Sequence, residues 1–292
     1  MSVLGRTVLC WDGSEPADAA GRWAVRRWEN TGADIEIVDV LDRGLFAGDR
    51  SALQRATVEE ERRLADRVGE LTSAHPGVVA GSTLLVGDPE DVLSEQTRPG
   101  TLVVVGTHRR VGPRGRYGWS MGARLAASAD GPVAIVPVDE SPEGRTSTEV
   151  VVGVDGSDTG RRALHYAARE AAAARMRLTV VHCWQEPLAG EPLIVPDDDF
   201  VDAQQTAHQE LLDDHVRVVR LRHPSLRVEP VLLRSNPISG LRSRAAAAAL
   251  LVVGSRQLTG WKRAWLGSVS HGLVLDISAP TIVVGPQTLT GA

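Results

Sequence analysis

The sequence predicts an α/β fold built from two tandem domains, each a five-stranded parallel sheet with helices on both faces. Two observations predict this class. Short apolar, β-branched runs alternate with segments of helical composition, and these runs lack the polar alternation of half-exposed strands. The whole pattern also occurs twice along the chain. Because parallel strands need crossover connections, such alternation favours parallel sheets covered on both sides.

The repeat is visible in two matched parts. With an offset of 143 (155 minus 12), Asp12-Gly13-Ser14 aligns with Asp155-Gly156-Ser157. Further along the offset is 148 (254 minus 106), so the second copy carries five extra residues (148 minus 143), most simply in the Pro- and Asp-rich segment before Phe200. The stretch 139–149 is polar and contains Pro and Gly, which is typical of a linker. We therefore predict domains at 1–139 and 148–292.

The second copy shows the order of elements within a domain. The predicted strands are 150–155, 178–184, 227–234, 250–254 and 281–285, and the predicted helices are 161–176, 202–221, 238–249 and 269–278. His223-Pro224 ends the second helix, and Asn236-Pro237 places a capping side chain before a proline at the start of the third. A Gly-rich loop is expected after the fourth strand. Ligands of such sheets bind beyond the C-terminal ends of the strands.

The composition excludes several classes of function. The 292 residues carry a net charge of −5 without a basic block, so nucleic acid is not an expected partner. Nothing in the sequence approaches a membrane span, and the N-terminus lacks a signal-peptide layout, which predicts a cytoplasmic protein without a membrane partner. Cys10 and Cys183 are too few for a disulfide framework or a Cys-based zinc site, and we expect both to be reduced and buried.

Ser120 lies in Gly-Trp-Ser-Met-Gly, the pattern of a hydrolase nucleophile elbow. A Pro- and Gly-rich loop precedes it, no His follows it within domain one, and its counterpart Ser268 lacks the pattern. We therefore expect Ser120 at a turn from a loop into a helix. The equivalent Gly267-Ser268-Val269-Ser270 should open a helix whose backbone N–H groups favour an anion. The alternative is that Ser268 or Ser270 is only an N-cap.

These segments resemble the universal stress protein family, in the tandem form common in actinobacteria. Nucleotide-binding members have G-x2-G-x9-G-[ST] after the fourth strand and an Asp ending the first. Here Gly254 and Gly267-Ser268 hold the matching positions, and Asp155 ends the first strand of the second copy. The resemblance implies Rossmann-like, adenine nucleotide alpha hydrolase-like domains that bind ATP, with Mg²⁺ as its counterion, or AMP. Its implied ligand contacts are Asp155, Cys183, Gly254, Arg256, Gln257, Gly267, Ser268, Val269 and Ser270, with Lys262 and Arg263 as further cations.

Two departures from the family pattern separate the domains. Gln257 stands at the second glycine position of domain two, where a Cβ would weaken binding by roughly tenfold if the backbone must be left-handed. In domain one Arg109 and Trp119 replace the second and third glycines, and only Asp12, Gly106 and Ser120 match. We expect domain one to have lost triphosphate binding or to bind something smaller, with Asp12, Gly106, Arg109 and Ser120 as its candidate contacts. Arg109, Arg110, Arg114 and Arg116 leave an anion contact open.

The leading hypothesis is a non-enzymatic regulatory protein that binds ATP or AMP in domain two and then changes its association with a protein partner. The alternative is a nucleotide-independent interaction scaffold in which both pockets have degenerated. An enzyme would need signatures that the sequence lacks, such as G-x4-G-K-[ST], so at most slow ATP hydrolysis is expected. The resemblance further implies that strands 133–138 and 281–285 pair within one chain as a pseudo-dimer, and a homodimer of whole chains stays open.

Overall fold

The computed structural model describes residues 4–108, 120–138, 147–185, 198–256, 258–260 and 263–288. Within these ranges the strands are β1 (Arg6–Cys10), β2 (Ile35–Asp42), β3 (Val79–Gly87), β4 (Thr101–Thr107), β5 (Val133–Pro137), β6 (Glu149–Val154), β7 (Arg177–Trp184), β8 (Val228–Arg234), β9 (Leu250–Gly254), β10 (Leu258–Gly260), β11 (Arg263–Trp265) and β12 (Thr281–Val284). The α-helices are α1 (Glu15–Thr31), α2 (Arg50–Ala74), α3 (Pro89–Ser94), α4 (Met121–Ser128), α5 (Asp158–Ala173), α6 (Asp198–Arg222), α7 (Pro237–Ala245) and α8 (Ser268–Leu275). A 3-10 turn covers Arg43–Phe46.

The predicted fold class is confirmed. The main strands form one ten-stranded sheet in the order β3-β2-β1-β4-β5-β12-β9-β6-β7-β8, so each half contributes five strands, all parallel within the half. Two apolar clusters cover the opposite faces of this sheet, as the unbroken apolar runs predict. In each half the first strand lies beside the fourth, which places the turn after β6 next to the end of β9.

Local signals in the sequence set several element boundaries. α6 ends at Arg222, directly before His223-Pro224. Asn236 caps α7 by accepting hydrogen bonds from the N–H groups of Ile238 and Ser239, with Pro237 in the first turn. The expected plain loop after β9 was wrong, because β10 and β11 form a short antiparallel hairpin there. Thr259 and Trp265 are residue types that favour strands. The hairpin was not predicted because the nearby glycines indicate a loop.

The predicted pairing of the two halves is also confirmed. β12 runs antiparallel to β5, with Thr281 opposite Ile135 and Val283 opposite Val133. All six residues of the three β5–β12 pairs are buried. This junction satisfies backbone groups that would otherwise be exposed at two sheet edges.

A buried ion pair crosses the same junction between helices α1 and α5. Arg27 Nη2 lies 2.7 Å from Glu170 Oε1 and Arg27 Nε lies 3.0 Å from Oε2, and both side chains are 5% exposed. Arg27 Nη1 also donates to Thr7 Oγ1 at 2.8 Å. Burial alone would lower the pKa of Arg27, but the Glu170 carboxylate raises it above its usual value, so the guanidinium stays charged.

Arg27 and Glu170 occupy the same position of the repeat, since 170 minus 27 is 143. In a symmetric pair of identical domains, a residue on the two-fold axis faces its own copy. Two arginines or two glutamates would then be buried together, which is strongly unfavourable. Because the two domains are separate copies, one position carries a cation and the other an anion. The charges are therefore complementary between domain one and domain two, but not between two copies of the same domain.

We expect Arg27→Glu to lower the free energy of unfolding by about 3–5 kcal/mol, because it buries two carboxylates without a cation. Urea unfolding would measure this loss. The double reversal Arg27→Glu/Glu170→Arg should recover much of it, less the bond to Thr7. Arg62→Glu is the control, since Arg62 and its partner Glu59 are 60% and 56% exposed and their ion pair contributes little. A double variant as unstable as the single one would contradict a specific charge pair.

Candidate functional site

A cleft of about 380 Å³ opens at the C-terminal ends of the strands of domain two. It lies between the turn after β6, the end of β9 and the first turn of α8. Its walls include all of the described residues that the sequence predicted as main ligand contacts: Asp155, Cys183, Gly254, Arg256, Gly267, Ser268, Val269 and Ser270. The apolar part of the wall includes Val181, Pro237, Leu241 and Val253, and all but Pro237 belong to the apolar cluster against which Cys183 packs. The cleft therefore has an apolar end and a polar end.

Asp155 marks the polar end, where strand β6 turns into helix α5. Its Oδ1 accepts a hydrogen bond from the Ser157 N–H at 3.0 Å and another from the Ser157 hydroxyl, and its Oδ2 lies 3.2 Å from Arg256 Nη2. Burial alone would raise the pKa of Asp155, but these bonds lower it below its usual value. The carboxylate is ionised and half exposed, so it can accept hydrogen bonds from a ligand.

The structure requires glycine at Gly254 but not at Gly267. A Cβ on Gly254 would lie 2.6 Å from the carbonyl oxygen of Thr159, so the close approach of α5 to β9 requires glycine there. A Cβ on Gly267 would meet nothing closer than Ser270 Oγ at 3.6 Å, and the Gly267 φ of −57° suits any residue. Packing does not require glycine at Gly267, which lines the cleft in front of helix α8.

Helix α8 turns its first N–H groups toward this part of the cleft. Gly267 is the N-cap and makes no side-chain capping bond, so Ser268 is the first helical residue, and the alternative that Ser268 caps the helix was wrong. The Ser270 hydroxyl donates to the Gly267 carbonyl at 3.0 Å, so Ser270 is not the cap either. The amides of Ser268, Val269 and Ser270 belong to the first turn, where no partner exists within the helix. This turn can donate hydrogen bonds to an anion.

The corresponding residues of domain one are arranged differently. Ser120 is the N-cap of α4, and its hydroxyl accepts from the Ala123 N–H at 3.2 Å. Residues 108–119 lie between β4 and Ser120, so Ser120 does not form the direct strand-to-helix turn of a nucleophile elbow. Thr107, His108 and Ser120 line a cleft of only about 10 Å³, shared with α8 and the residues after it.

Gly106 and Asp12 keep structural roles in domain one. A Cβ on Gly106 would lie 2.0 Å from the Pro16 carbonyl oxygen, so helix packing requires this glycine as it requires Gly254. Asp12 Oδ1 accepts from the Ser14 N–H at 3.0 Å, which repeats the turn of Asp155 and Ser157. The predicted contacts Gln257, Arg109, Arg110, Arg114, Arg116 and Lys262 lie outside the described residues, as do the side chain of Arg263 and Trp119, which replaces the third glycine of the motif.

Both cysteines are free, but they are half buried and not fully buried as expected. Burial raises the pKa of the Cys183 thiol, and it raises that of Cys10 to about 12. Both groups are therefore protonated at neutral pH and unsuited to nucleophilic chemistry. Cys183 contributes to the wall of the cleft near Gly240, whose added Cβ would lie 2.9 Å from its sulfur.

Each domain has a pair of ionisable residues between its second strand and its second helix that was not predicted from the sequence. In domain two His182 Nδ1 donates to the Val154 carbonyl at 2.8 Å, and His182 Nε2 lies 2.8 Å from His208 Nδ1. The offsets 143 and 148 align these residues with Asp39 and Glu60 (182 minus 143 and 208 minus 148). Aligning the two copies would have shown that both carry ionisable residues at these two positions. In each domain one residue lies in the second strand and the other in the helix that follows it.

Asp39 is 4% exposed, and its Oδ2 has no hydrogen-bond partner in the described part of the chain. Burial, followed by the nearby Glu60 carboxylate, raises the pKa of Asp39 to about 6. In domain two, burial and the neighbouring His182 lower the pKa of His208. The two domains thus carry different ionisable groups at equivalent places.

The described helices include none that is long and apolar enough to cross a membrane. The described His, Cys, Asp and Glu side chains form no group of three or more that could hold a metal ion.

Comparison with known proteins gives a consistent result. A sequence profile described as "Universal stress protein family" matches residues 5–137 and again 147–285. The chain is 26% identical to a universal stress protein of Mycobacterium tuberculosis strain H37Rv, over 93% of this chain and 92% of that one. It is 28% identical to one of Mycolicibacterium smegmatis, over 94% and 95%. The crystal structure of a universal stress protein from Archaeoglobus fulgidus has the same fold, with a TM-score of 0.71 at 16% identity, over 97% of this chain and 99% of that one.

The two glycines of domain two should respond differently to alanine. Gly254→Ala should lower the free energy of unfolding by at least about 2 kcal/mol, because its Cβ overlaps backbone atoms of α5. Gly267→Ala should change it by less than about 1 kcal/mol, the usual range at an N-cap. Urea unfolding of both variants checks this. Equal losses would show that packing also requires glycine at Gly267.

Asp39 should make stability depend on pH. Its folded pKa of about 6 lies above the ordinary value of 3.8, so the folded chain binds this proton more tightly. The resulting stabilisation is fully present below about pH 4 and is lost as pH rises through about 6, a change of about 2–3 kcal/mol at most. Asp39→Asn should therefore gain stability relative to the wild type between pH 4 and pH 7.5, as measured by urea unfolding. A difference independent of pH would contradict the raised pKa.

Proposed function

The chain belongs to the universal stress protein family, and on that premise we propose that it is a non-catalytic regulatory protein whose second domain binds one adenine nucleotide. The nucleotide is ATP, carried with Mg²⁺, or AMP. Occupancy of the cleft changes how the chain associates with a protein partner under stress. Domain one has lost triphosphate binding and serves as the structural partner of domain two.

The unconstrained glycine at Gly267, on the wall of the cleft, is the observation that carries this proposal. Glycine is required there neither by its φ nor by its neighbours, and the residue lines the cleft before the first turn of α8. A phosphate group fits that part of the cleft, because it can accept hydrogen bonds from the amides of Ser268, Val269 and Ser270 and is favoured by the helix dipole. In domain one, by contrast, Ser120 caps the equivalent helix with its own side chain.

The remaining walls suit the other parts of a nucleotide. The Asp155 carboxylate is half exposed and can accept hydrogen bonds from ribose hydroxyls. Val181, Cys183 and Leu241 give an apolar end that matches the faces of an adenine ring. Arg256 pairs with Asp155 at 3.2 Å and is 65% exposed, so it can turn toward phosphate oxygens at a small electrostatic loss.

The side chains around the cleft support binding without turnover. Among the described residues that line it, the ionisable groups are Asp155, Arg256 and Cys183. Asp155 and Arg256 are paired with each other, and the Cys183 thiol is protonated. The described residues that line the cleft include neither a His nor a Glu that could act as a general base, and His271, in the first turn of α8, is not among them.

The alternative function is a scaffold that binds proteins without nucleotide. The closed Asp155–Arg256 pair favours it, because the two groups already satisfy each other across the polar end of the cleft. Gln257 at a glycine position of the family motif favours it as well. Titration of the isolated chain with nucleotide decides between the two functions.

We expect isothermal titration of the nucleotide-stripped chain with ATP and Mg²⁺ to give about one site per chain. Asp155→Ala should weaken binding by about tenfold to a hundredfold, the value of one or two hydrogen bonds to a charged group. Ser268→Ala should weaken it by roughly tenfold through loss of a hydroxyl donor. Gly267→Ala should weaken it while the fold stays intact.

Asp12→Ala is the matched control, because Asp12 holds the same position and the same turn in domain one. It should leave both the affinity and the number of sites unchanged. Two sites per chain, one of them lost in Asp12→Ala, would show that domain one still binds nucleotide. Absence of binding at millimolar ATP would overturn the proposed function in favour of the scaffold.

A further inference from the structure

The two outer edges of the ten-stranded sheet are formed by equivalent strands, β3 in domain one and β8 in domain two. The two strands pair with their neighbours in the same register. Ser82 lies opposite Ile37 in domain one, and Pro230 lies opposite Val180 in domain two. The repeat relates these residues, with offsets of 148 (230 minus 82) and 143 (180 minus 37). An exposed strand edge presents unpaired N–H and C=O groups that can pair with another strand. The two edges of this chain can therefore be compared residue by residue.

β8 carries features that prevent such pairing. Pro230 lacks an N–H, Glu229 is exposed, and Arg234 ends the strand. Proline and charged residues are the usual means by which native proteins block strand edges. β3 has Gly81, Ser82 and Val86 at the same three places. The nine residues of β3 contain neither a charge nor a proline.

The register shows which backbone groups of β3 face outward. The Leu178 N–H donates to the Arg227 carbonyl at 2.9 Å, so in a parallel ladder residues 227, 229 and 231 bond to β7, and Pro230 faces away from it. Ser82 occupies the same register and likewise faces away from β2, as do the next alternate residues, Leu84 and Val86. The β-bulge falls at Ala80, between the Ile35–Val79 and Glu36–Gly81 pairs, directly before this part of the strand, and the register is regular from Gly81 to Gly87.

We propose that the β3 edge of domain one is a dimer interface, on which β3 of a second copy of this chain pairs antiparallel about a two-fold axis. The occupant is a second copy of this chain. Because β3 carries no charge, two β3 strands can pair without bringing like charges together. Ser82 and Thr83 are exposed, and Val86 is 43% exposed, so within the described part of the chain this edge is accessible to another strand. The β5–β12 junction shows that this sheet already continues through an antiparallel pair of strands. The dimer forms with or without nucleotide.

Sedimentation equilibrium of the full chain tests the interface. We expect the wild type to sediment at twice the 31.2 kDa of one chain. Ser82→Pro, which copies the residue of β8, should raise the dissociation constant at least tenfold, and Ser82→Ala, which keeps the N–H, should leave the dimer intact. Gly81→Glu is a second dissociating variant, since a Cβ at Gly81 meets nothing within 4 Å and the fold can accept it. Circular dichroism should report an unchanged fold in all three variants.

Three results would overturn the proposal. A wild type that stays at the mass of one chain up to its solubility limit would show that the edge does not self-associate, even if it binds an extended peptide instead. A dimer that persists in both Ser82→Pro and Gly81→Glu would place the interface elsewhere. Dissociation by Ser82→Ala as well would assign the contact to the side chain and not to the backbone edge.

Discussion

The structure depends on the junction where β5 meets β12 and where Arg27 meets Glu170. Each half alone would expose an apolar strand, β5 or β12, at the edge of its sheet. A symmetric pair of two identical halves would bury two like charges against each other. Joining two unequal copies in one chain removes both problems, because the bidentate ion pair at 5% exposure is satisfied only when domain one meets domain two. The same inequality frees the two copies to diverge elsewhere.

The two copies differ at a glycine that the fold does not constrain. Gly106 and Gly254 are kept in both copies because helix and strand approach too closely for a Cβ. Gly267 has no such reason, and its equivalent in domain one is Trp119. The family motif therefore combines a glycine that packing requires with a glycine that packing does not require. Domain one retains the first and lacks the second, which fits the proposed division between a domain kept for assembly and a domain that binds nucleotide.

The sequence predicted most of the fold because the repeat tests each assignment twice. Parallel strands, the end of α6 before His223-Pro224 and the cap at Asn236 depend on local signals, and all were confirmed. The hairpin β10–β11 was missed, since pairing across a short turn competes with the loop signal of nearby glycines. The role of Ser268 was open because a cap and a first helical residue differ by one position. Arg27–Glu170 and His182–His208 join segments distant in sequence, which no local pattern reveals.

The most direct test of one occupied and one silent domain is a backbone NMR titration of the full chain with ATP and Mg²⁺. The account predicts that the amide signals of Ser268, Val269 and Ser270 shift and saturate together with that of Asp155, while those of Ser120 and Asp12 stay in place. Equal shifts around Ser120 would contradict the division of roles between the domains. Signals that stay unchanged in both domains would contradict nucleotide binding itself.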